Sequence, residues 1–85
     1  EFRDGEMAVR LAQDALILAP ADYHVWSTLA EGYYLAGNFD KSLRAAKVAL
    51  VLGERDERAA SSLITEYKAQ VRRCRKYAQA MSIIE

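Results

Sequence analysis

Two side chains in this sequence could act as a nucleophile or a base, the single histidine and the single cysteine. Cys74 falls on an apolar helical stripe, far along the chain from His24. A reactive cysteine needs a partly exposed, electropositive setting, so this position predicts a buried structural thiol. A zinc site needs three or four ligands, more than one histidine and one cysteine supply. The sequence therefore predicts no catalytic residue, no metal and no cofactor.

Basic residues form the second group that could do chemistry. The cluster comprises Lys68, Arg72, Arg73, Arg75 and Lys76. At 100° per residue, all of them except Arg73 fall within an arc of about 100° on a helix. Such a basic strip could neutralise phosphates of a nucleic acid or an anionic membrane surface. Only Tyr67 and Tyr77 provide aromatic rings nearby, so a solvated helix face is the stronger interpretation.

Length and composition limit the class of protein. The chain has 85 residues, enough for one small domain. Twelve acids balance twelve bases, unlike the strongly basic composition of a dedicated nucleic-acid binder. One cysteine excludes a disulfide scaffold and favours a reducing compartment, so we expect a cytoplasmic location. No uninterrupted apolar run is long enough for a membrane span. The sequence does not begin with methionine, so we expect it to be a segment of a longer protein.

Helix-breaking residues divide the sequence into four amphipathic segments, and no segment alternates with the period of a strand. We predict helices over 4–19, 22–36, 39–52 and 56–82. Asp22 and Asp56 are predicted N-caps, while Pro20, Gly37 and Gly53 are predicted helix ends. The short connections make neighbouring helices antiparallel, in an all-α domain with a long C-terminal helix.

A 34-residue period relates the first and third segments. Ala15 and Leu16 precede Ala49 and Leu50 by 34 positions. Small and bulky residues alternate at this period in a pattern that includes Trp26, Leu29-Ala30, Tyr33, Gly37-Asn38-Phe39, Ser42 and Ala49-Leu50. This pattern resembles a tetratricopeptide repeat, a helix–turn–helix unit that stacks into a solenoid. Two positions depart from the family: Ala46 replaces an aromatic residue, and Glu54 replaces a proline.

The resemblance implies how the chain is organised. Segment 4–19 is similar to the second helix of a preceding repeat, 22–53 to a complete repeat, and 56–82 to a capping helix. Members of the family bind other proteins, so the resemblance implies a non-catalytic interaction module, part of a scaffold or adaptor. Ligands in the family lie along a concave surface formed by the first helix of each repeat. By resemblance, the residues on this surface are His24, Ser27, Thr28, Glu31, Tyr34, Leu35, Arg58, Ser61, Ser62, Thr65, Lys68 and Ala69.

Some family members bind the C-terminal carboxylate of heat-shock chaperones through paired basic and asparagine side chains. This sequence departs from that pattern at Glu31, which replaces the asparagine, and its carboxylate would repel the ligand's own. Ser27 and Ser62 replace two of the basic residues. We therefore expect a partner other than a chaperone C-terminus.

Self-association is the main alternative function. The C-terminal half of the long helix extends beyond the helices it could cover. Its apolar stripe could therefore pair with a second copy of the chain. The residues on that stripe are Val71, Cys74, Ala78, Met81 and Ile84.

Overall fold

The chain folds into four α-helices, and the computed structural model describes the backbone of residues 2–84 and the side chains of residues 4–84. The helices are α1 (Phe2–Leu18), α2 (Tyr23–Leu35), α3 (Phe39–Arg55) and α4 (Ser61–Ile84). No strand occurs within these residues. The predicted all-α architecture is confirmed, and α4, with 24 residues, is the longest helix.

Close backbone contact joins α1 to α2. Gly5 lies inside α1 and is buried, whereas the sequence pattern had placed it at the start of the helix. A Cβ atom at Gly5 would lie 2.8 Å from the backbone nitrogen of Ala36, and one at Gly32 would lie 3.0 Å from that of Val9. The beginning of α1 therefore contacts the end of α2, and the two helices are antiparallel.

Both ends of α2 agree with the predicted signals. Asp22 caps α2 by accepting hydrogen bonds from the backbone N–H groups of His24 and Val25. At the other end Gly37 has φ of 80°, the left-handed region that favours glycine. Asn38 then caps α3 by accepting a hydrogen bond from the Lys41 N–H group. Gly37 and Asn38 together produce a tight reversal between α2 and α3.

The boundary between α3 and α4 differs from the prediction. Gly53 does not end α3; it is a buried position within the helix. A Cβ atom there would lie 3.1 Å from Ile64 Cδ1 of α4, so this position requires a small residue because another helix approaches closely. Asp56 does not cap α4 either, because its side chain accepts from the Arg58 N–H group within the connection and α4 begins at Ser61.

Helix α4 packs antiparallel on α3. Near its start, Tyr67 lies beside Gly53, at the C-terminal end of α3. Near its end, the Tyr77 ring stacks on Phe39, the first residue of α3, with centroids 5.4 Å apart. Since successive helices alternate in direction, α2 and α4 are parallel to each other, as are α1 and α3.

Small side chains fill the centre of this packing. Ala30, Ala46, Ala49, Ser42 and Cys74 have no exposed surface. The Ser42 hydroxyl donates a 2.7 Å hydrogen bond to the Ala30 carbonyl and lies 3.0 Å from Cys74 Sγ. The predicted buried thiol is confirmed. Trp26 lies at the periphery and is only partly buried, because the helices are too close together at the centre for large rings.

Candidate functional site

A row of polar contacts joins the parallel helices α2 and α4. From the start of α2 towards its end, the contacts pair His24 with Tyr67, Ser27 with Gln70, and Glu31 with Arg73. The paired residues are 42 or 43 positions apart in sequence. These contacts advance in the same direction along both helices, as expected for a parallel pair in which each helix packs on α3.

The Ser27–Gln70 pair makes two hydrogen bonds. The Ser27 hydroxyl donates to Gln70 Oε1 at 3.1 Å, and Gln70 Nε2 donates to the Ser27 carbonyl at 3.1 Å. Both side chains are partly buried. The Gln70 amide is therefore oriented by the α2 backbone, which makes it a defined feature of this surface.

Glu31 and Arg73 form an ion pair, with Arg73 Nη2 2.6 Å from Glu31 Oε2. Both side chains are a little under half exposed, so water screens the pair and its contribution to stability is small. The guanidinium carbon of Arg73 also lies 4.7 Å from the centroid of the Tyr34 ring. Two contacts thus fix the orientation of the arginine.

These helices enclose a groove of about 340 Å³. Its lining residues are Ser27, Leu63, Glu66, Tyr67, Gln70 and Arg73. We call this the α2–α4 groove. It offers an amide, a hydroxyl and charges of both signs beside one leucine, a chemistry suited to hydrogen bonding with an extended peptide.

Of the predicted surface residues on α2, only Ser27 lines this groove. Ser27, Glu31 and Tyr34 are partly buried by contact with α4, while His24, Thr28 and Leu35 are exposed. Thr28 donates its hydroxyl hydrogen bond to the His24 carbonyl within its own helix. Tyr34, predicted to be exposed, instead packs edge-on against Tyr77 with ring centroids 5.5 Å apart.

The predicted surface residues on α4 do not share this groove, which corrects the prediction of a single two-row surface. Ser61, Thr65 and Lys68 are exposed, but at 100° per residue they lie about 140–180° around α4 from Gln70. Arg58 is not on a helix; its side chain is 93% exposed in the α3–α4 connection. The two remaining predicted residues, Ser62 and Ala69, are also exposed on α4.

Sequence reasoning missed Gln70 as a groove residue and assigned Arg73 only to the basic cluster. A 34-residue period pairs Ser27 with Ser61, whereas the structure pairs Ser27 with Gln70. No periodic signal marks Gln70. The pairing of Arg73 with an acid on α2 could have been suggested by charge, because Glu31 is the only acid within α2.

Most of the predicted self-association stripe is covered by this chain's own helices. Val71, Cys74 and Ala78 are buried inside this chain at 6%, 0% and 7% exposure. They cover α3, so a second copy could not reach them in this conformation. Met81, at 40% exposure, and Ile84, at 76%, remain accessible near the end of α4.

The basic strip of Lys68, Arg72, Arg75 and Lys76 is exposed as predicted. Its two neighbouring aromatic rings are not available for stacking on bases, because Tyr67 is 5% exposed and Tyr77 stacks on Phe39. Arg73 is engaged with Glu31. The strip therefore presents charge without aromatic rings, which is typical of a solvated helix face.

A hydrogen-bonded pair joins the start of α2 to the α3–α4 connection. The Tyr23 hydroxyl donates to Asp56 Oδ2 at 2.9 Å. The Arg58 backbone N–H, followed by the Tyr23 hydroxyl, lowers the pKa of Asp56 because both donate to its charged form. The same hydrogen bond raises the pKa of Tyr23, and burial raises the pKa of Tyr67.

On the opposite side of α2, a second groove runs between α1 and α3 and has a volume of about 590 Å³. We call it the α1–α3 groove. Its lining residues are Gln13, Leu16, Pro20, Trp26, Leu29, Tyr33, Lys41, Arg44, Ala45 and Val48. The lining is mainly apolar and includes no carboxylate.

Residues 4–84 contain no group of three or more histidine, cysteine, aspartate or glutamate side chains that could hold a metal ion. None of the helices within residues 2–84 has the length and apolar character needed to cross a bilayer. No protein-family model, curated protein or solved structure matches the chain.

Proposed function

We propose that this chain is a tetratricopeptide-type segment that binds another protein through the α2–α4 groove. The observation that carries the proposal is the parallel pair α2 and α4, whose polar side chains hold each other in defined positions beside an open groove. The small residues Ala30, Ser42 and Ala49, which the resemblance assigns to close helix contacts, are fully buried. Their burial supports stacking of the helix–turn–helix type.

The groove favours an internal, extended stretch of a partner protein. Ser27 and Gln70 can exchange hydrogen bonds with a peptide backbone, and Glu66 can pair with a basic side chain at its edge. A terminal carboxylate fits less well, because Glu31 lies beside Arg73 and already neutralises it. The proposed role is non-catalytic, as a scaffold or adaptor segment in the reducing environment of the cytoplasm.

The test is affinity capture with the full chain, followed by identification of bound proteins by mass spectrometry. Glu31→Lys removes the ion pair and reverses one charge at the groove, so it should deplete specific partners. The matched control is Lys68→Glu, a charge reversal on the exposed far side of α4. Circular dichroism should show both variants folded.

The decisive comparison is between the two variants. Partners lost with Glu31→Lys and retained with Lys68→Glu would support the α2–α4 groove as the binding surface. Equal recovery of every partner with the wild type and Glu31→Lys would contradict it.

A further inference from the structure

We propose that the α1–α3 groove is a second docking surface, and that it takes an acidic amphipathic segment of a partner protein. This groove lies on the opposite side of α2 from the α2–α4 groove. The inference does not depend on the function proposed for that groove, because the two surfaces share no lining residue.

The shape of the groove follows from the packing of three helices. The main contacts join α1 to α2 and α2 to α3. Helices α1 and α3 therefore form parallel walls, with α2 as the floor. Leu29 and Ala45 are 5% and 2% exposed at the bottom, whereas Leu16 and Val48 are partly exposed on the two walls. An elongated apolar groove between helices suits a further amphipathic helix, anchored by side chains three or four residues apart.

The polar atoms of the Trp26 and Tyr33 rings already have hydrogen-bond partners. The Trp26 indole N–H donates to the Pro20 carbonyl at 2.8 Å, and the Tyr33 hydroxyl accepts from Gln13 Nε2 at 3.1 Å. The rings therefore present mainly their apolar faces to the groove, and the indole donor is satisfied. An occupant would gain mainly from apolar burial rather than from hydrogen bonds.

Charge on the groove specifies the sign of the occupant. Lys41 and Arg44 line the α3 wall, and Lys47 is exposed one turn further along. Within residues 4–84 none of these three forms an ion pair. Lys41 Nζ lies 5.8 Å from the centroid of the Tyr33 ring, at the edge of the apolar surface. Acidic side chains beside apolar anchors would meet these cations, so electrostatic complementarity favours an acidic segment.

The test uses a displayed library of random helical peptides, selected on the full wild-type chain and separately on the double variant Lys41→Glu/Arg44→Glu. The wild type should enrich peptides with apolar residues at helical spacing and neighbouring Asp or Glu. The double variant should enrich Lys or Arg at the same positions. Synthetic peptides from the wild-type selection should bind the double variant at least about tenfold more weakly.

Two measurements locate the binding. Trp26 is the only tryptophan in the chain, so a bound peptide should shift its fluorescence emission. The matched control is Lys68→Glu/Arg75→Glu on the far side of α4, which changes the net charge equally and should leave peptide affinity within about twofold. Glu31→Lys should also leave peptide affinity unchanged, which separates this test from that of the α2–α4 groove.

Several outcomes would overturn the proposal. One is a selection that enriches no acidic amphipathic peptide. Another is that the selected peptides bind the Lys41→Glu/Arg44→Glu variant as tightly as the wild type. A third is that peptide binding leaves the Trp26 emission unchanged. A concentration-dependent dimer in sedimentation that itself shifts Trp26 emission would show that a second copy, not a partner segment, occupies the groove.

Discussion

The two sides of α2 differ in how they are held and in what they expose. Towards α4, Ser27 and Glu31 make specific polar contacts with side chains of that helix. Towards α1 and α3, Trp26, Leu29 and Tyr33 pack by shape and leave a largely apolar groove. One short helix therefore forms part of two surfaces with opposite chemistry.

The two sides of α2 should therefore differ in how much they contribute to the stability of the fold. The exposed polar contacts contribute about 1 kcal/mol or less each, because water competes for the same groups. Close packing at Gly32 and apolar burial near Leu29 contribute more. The α1–α2–α3 side should therefore contribute most to the free energy of unfolding, while the polar contacts on the α2–α4 side should contribute little. The following predictions test that division.

The largest effect is expected from Gly32→Leu. A Cβ atom at Gly32 would already lie 3.0 Å from Val9 N and Val9 Cγ2, so a leucine must push α1 away from α2. We expect the free energy of unfolding to fall by about 3 kcal/mol, measured by urea titration with circular dichroism. Ala69→Leu, on an exposed position of α4, should change it by less than about 0.5 kcal/mol. Equal stability of the Gly32 variant and the wild type would contradict the close approach.

Trp26→Ala should have the next largest effect. The indole is partly exposed, so its removal should cost about 2 kcal/mol, less than for a fully buried tryptophan. Trp26→Phe keeps an aromatic ring but loses the hydrogen bond to the Pro20 carbonyl, and should cost about 1 kcal/mol. Urea unfolding of both variants checks this order. A larger loss for phenylalanine than for alanine would refute the assignment of Trp26 to the α1–α3 groove.

A smaller effect is expected on the polar side. A double-mutant cycle with Glu31→Gln and Arg73→Gln should give a coupling energy of about 0.5 kcal/mol that falls in 1 M NaCl. The control cycle pairs Glu31→Gln with Arg72→Gln, an exposed arginine adjacent in sequence, and should show no coupling. Coupling of equal size in both cycles would argue against a specific ion pair.

The smallest effect concerns Asp56 and depends on pH. Its pKa is lowered in the folded state, so its charge stabilises the fold above the unfolded-state pKa, and this contribution is lost as pH falls through the folded-state pKa. Asp56→Asn should therefore melt slightly below the wild type at pH 7, and the difference in Tm should shrink at acidic pH. A Tm difference that grows on acidification would contradict the lowered pKa.

Local signals in the sequence predicted much of the fold. Asp22 and Gly37 act as the predicted cap and helix end, because such positions depend on the backbone of a few neighbouring residues. The last helix was also predicted to be long, although α4 begins at Ser61 rather than at 56 and has 24 residues. Gly53 was misread as a helix end, because a glycine that permits helix contact has the same appearance in a sequence as one that ends a helix.

The candidate site was harder to predict. A 34-residue period indicates which residues are equivalent, but it does not determine how far one helix is displaced along another. Gln70 and Arg73 contact residues more than 40 positions away, and this pairing follows from the packing of α2 and α4 on α3. Thr65 and Lys68 were consequently assigned to a groove that they do not line. Tertiary contacts of this kind carry no local sequence pattern.

Thiol crosslinking tests the central claim, that α2 lies beside α4 with Ser27 opposite Gln70, most directly. In a Cys74→Ala background, Ser27→Cys/Gln70→Cys and Ser27→Cys/Ser61→Cys would be treated with a short bismaleimide and analysed by mass spectrometry. The structure predicts rapid intramolecular crosslinking for the pair at 27 and 70, and little for the pair at 27 and 61, because these α4 positions are about 13 Å apart along the helix. Preferential crosslinking of positions 27 and 61 would contradict this alignment and the α2–α4 groove.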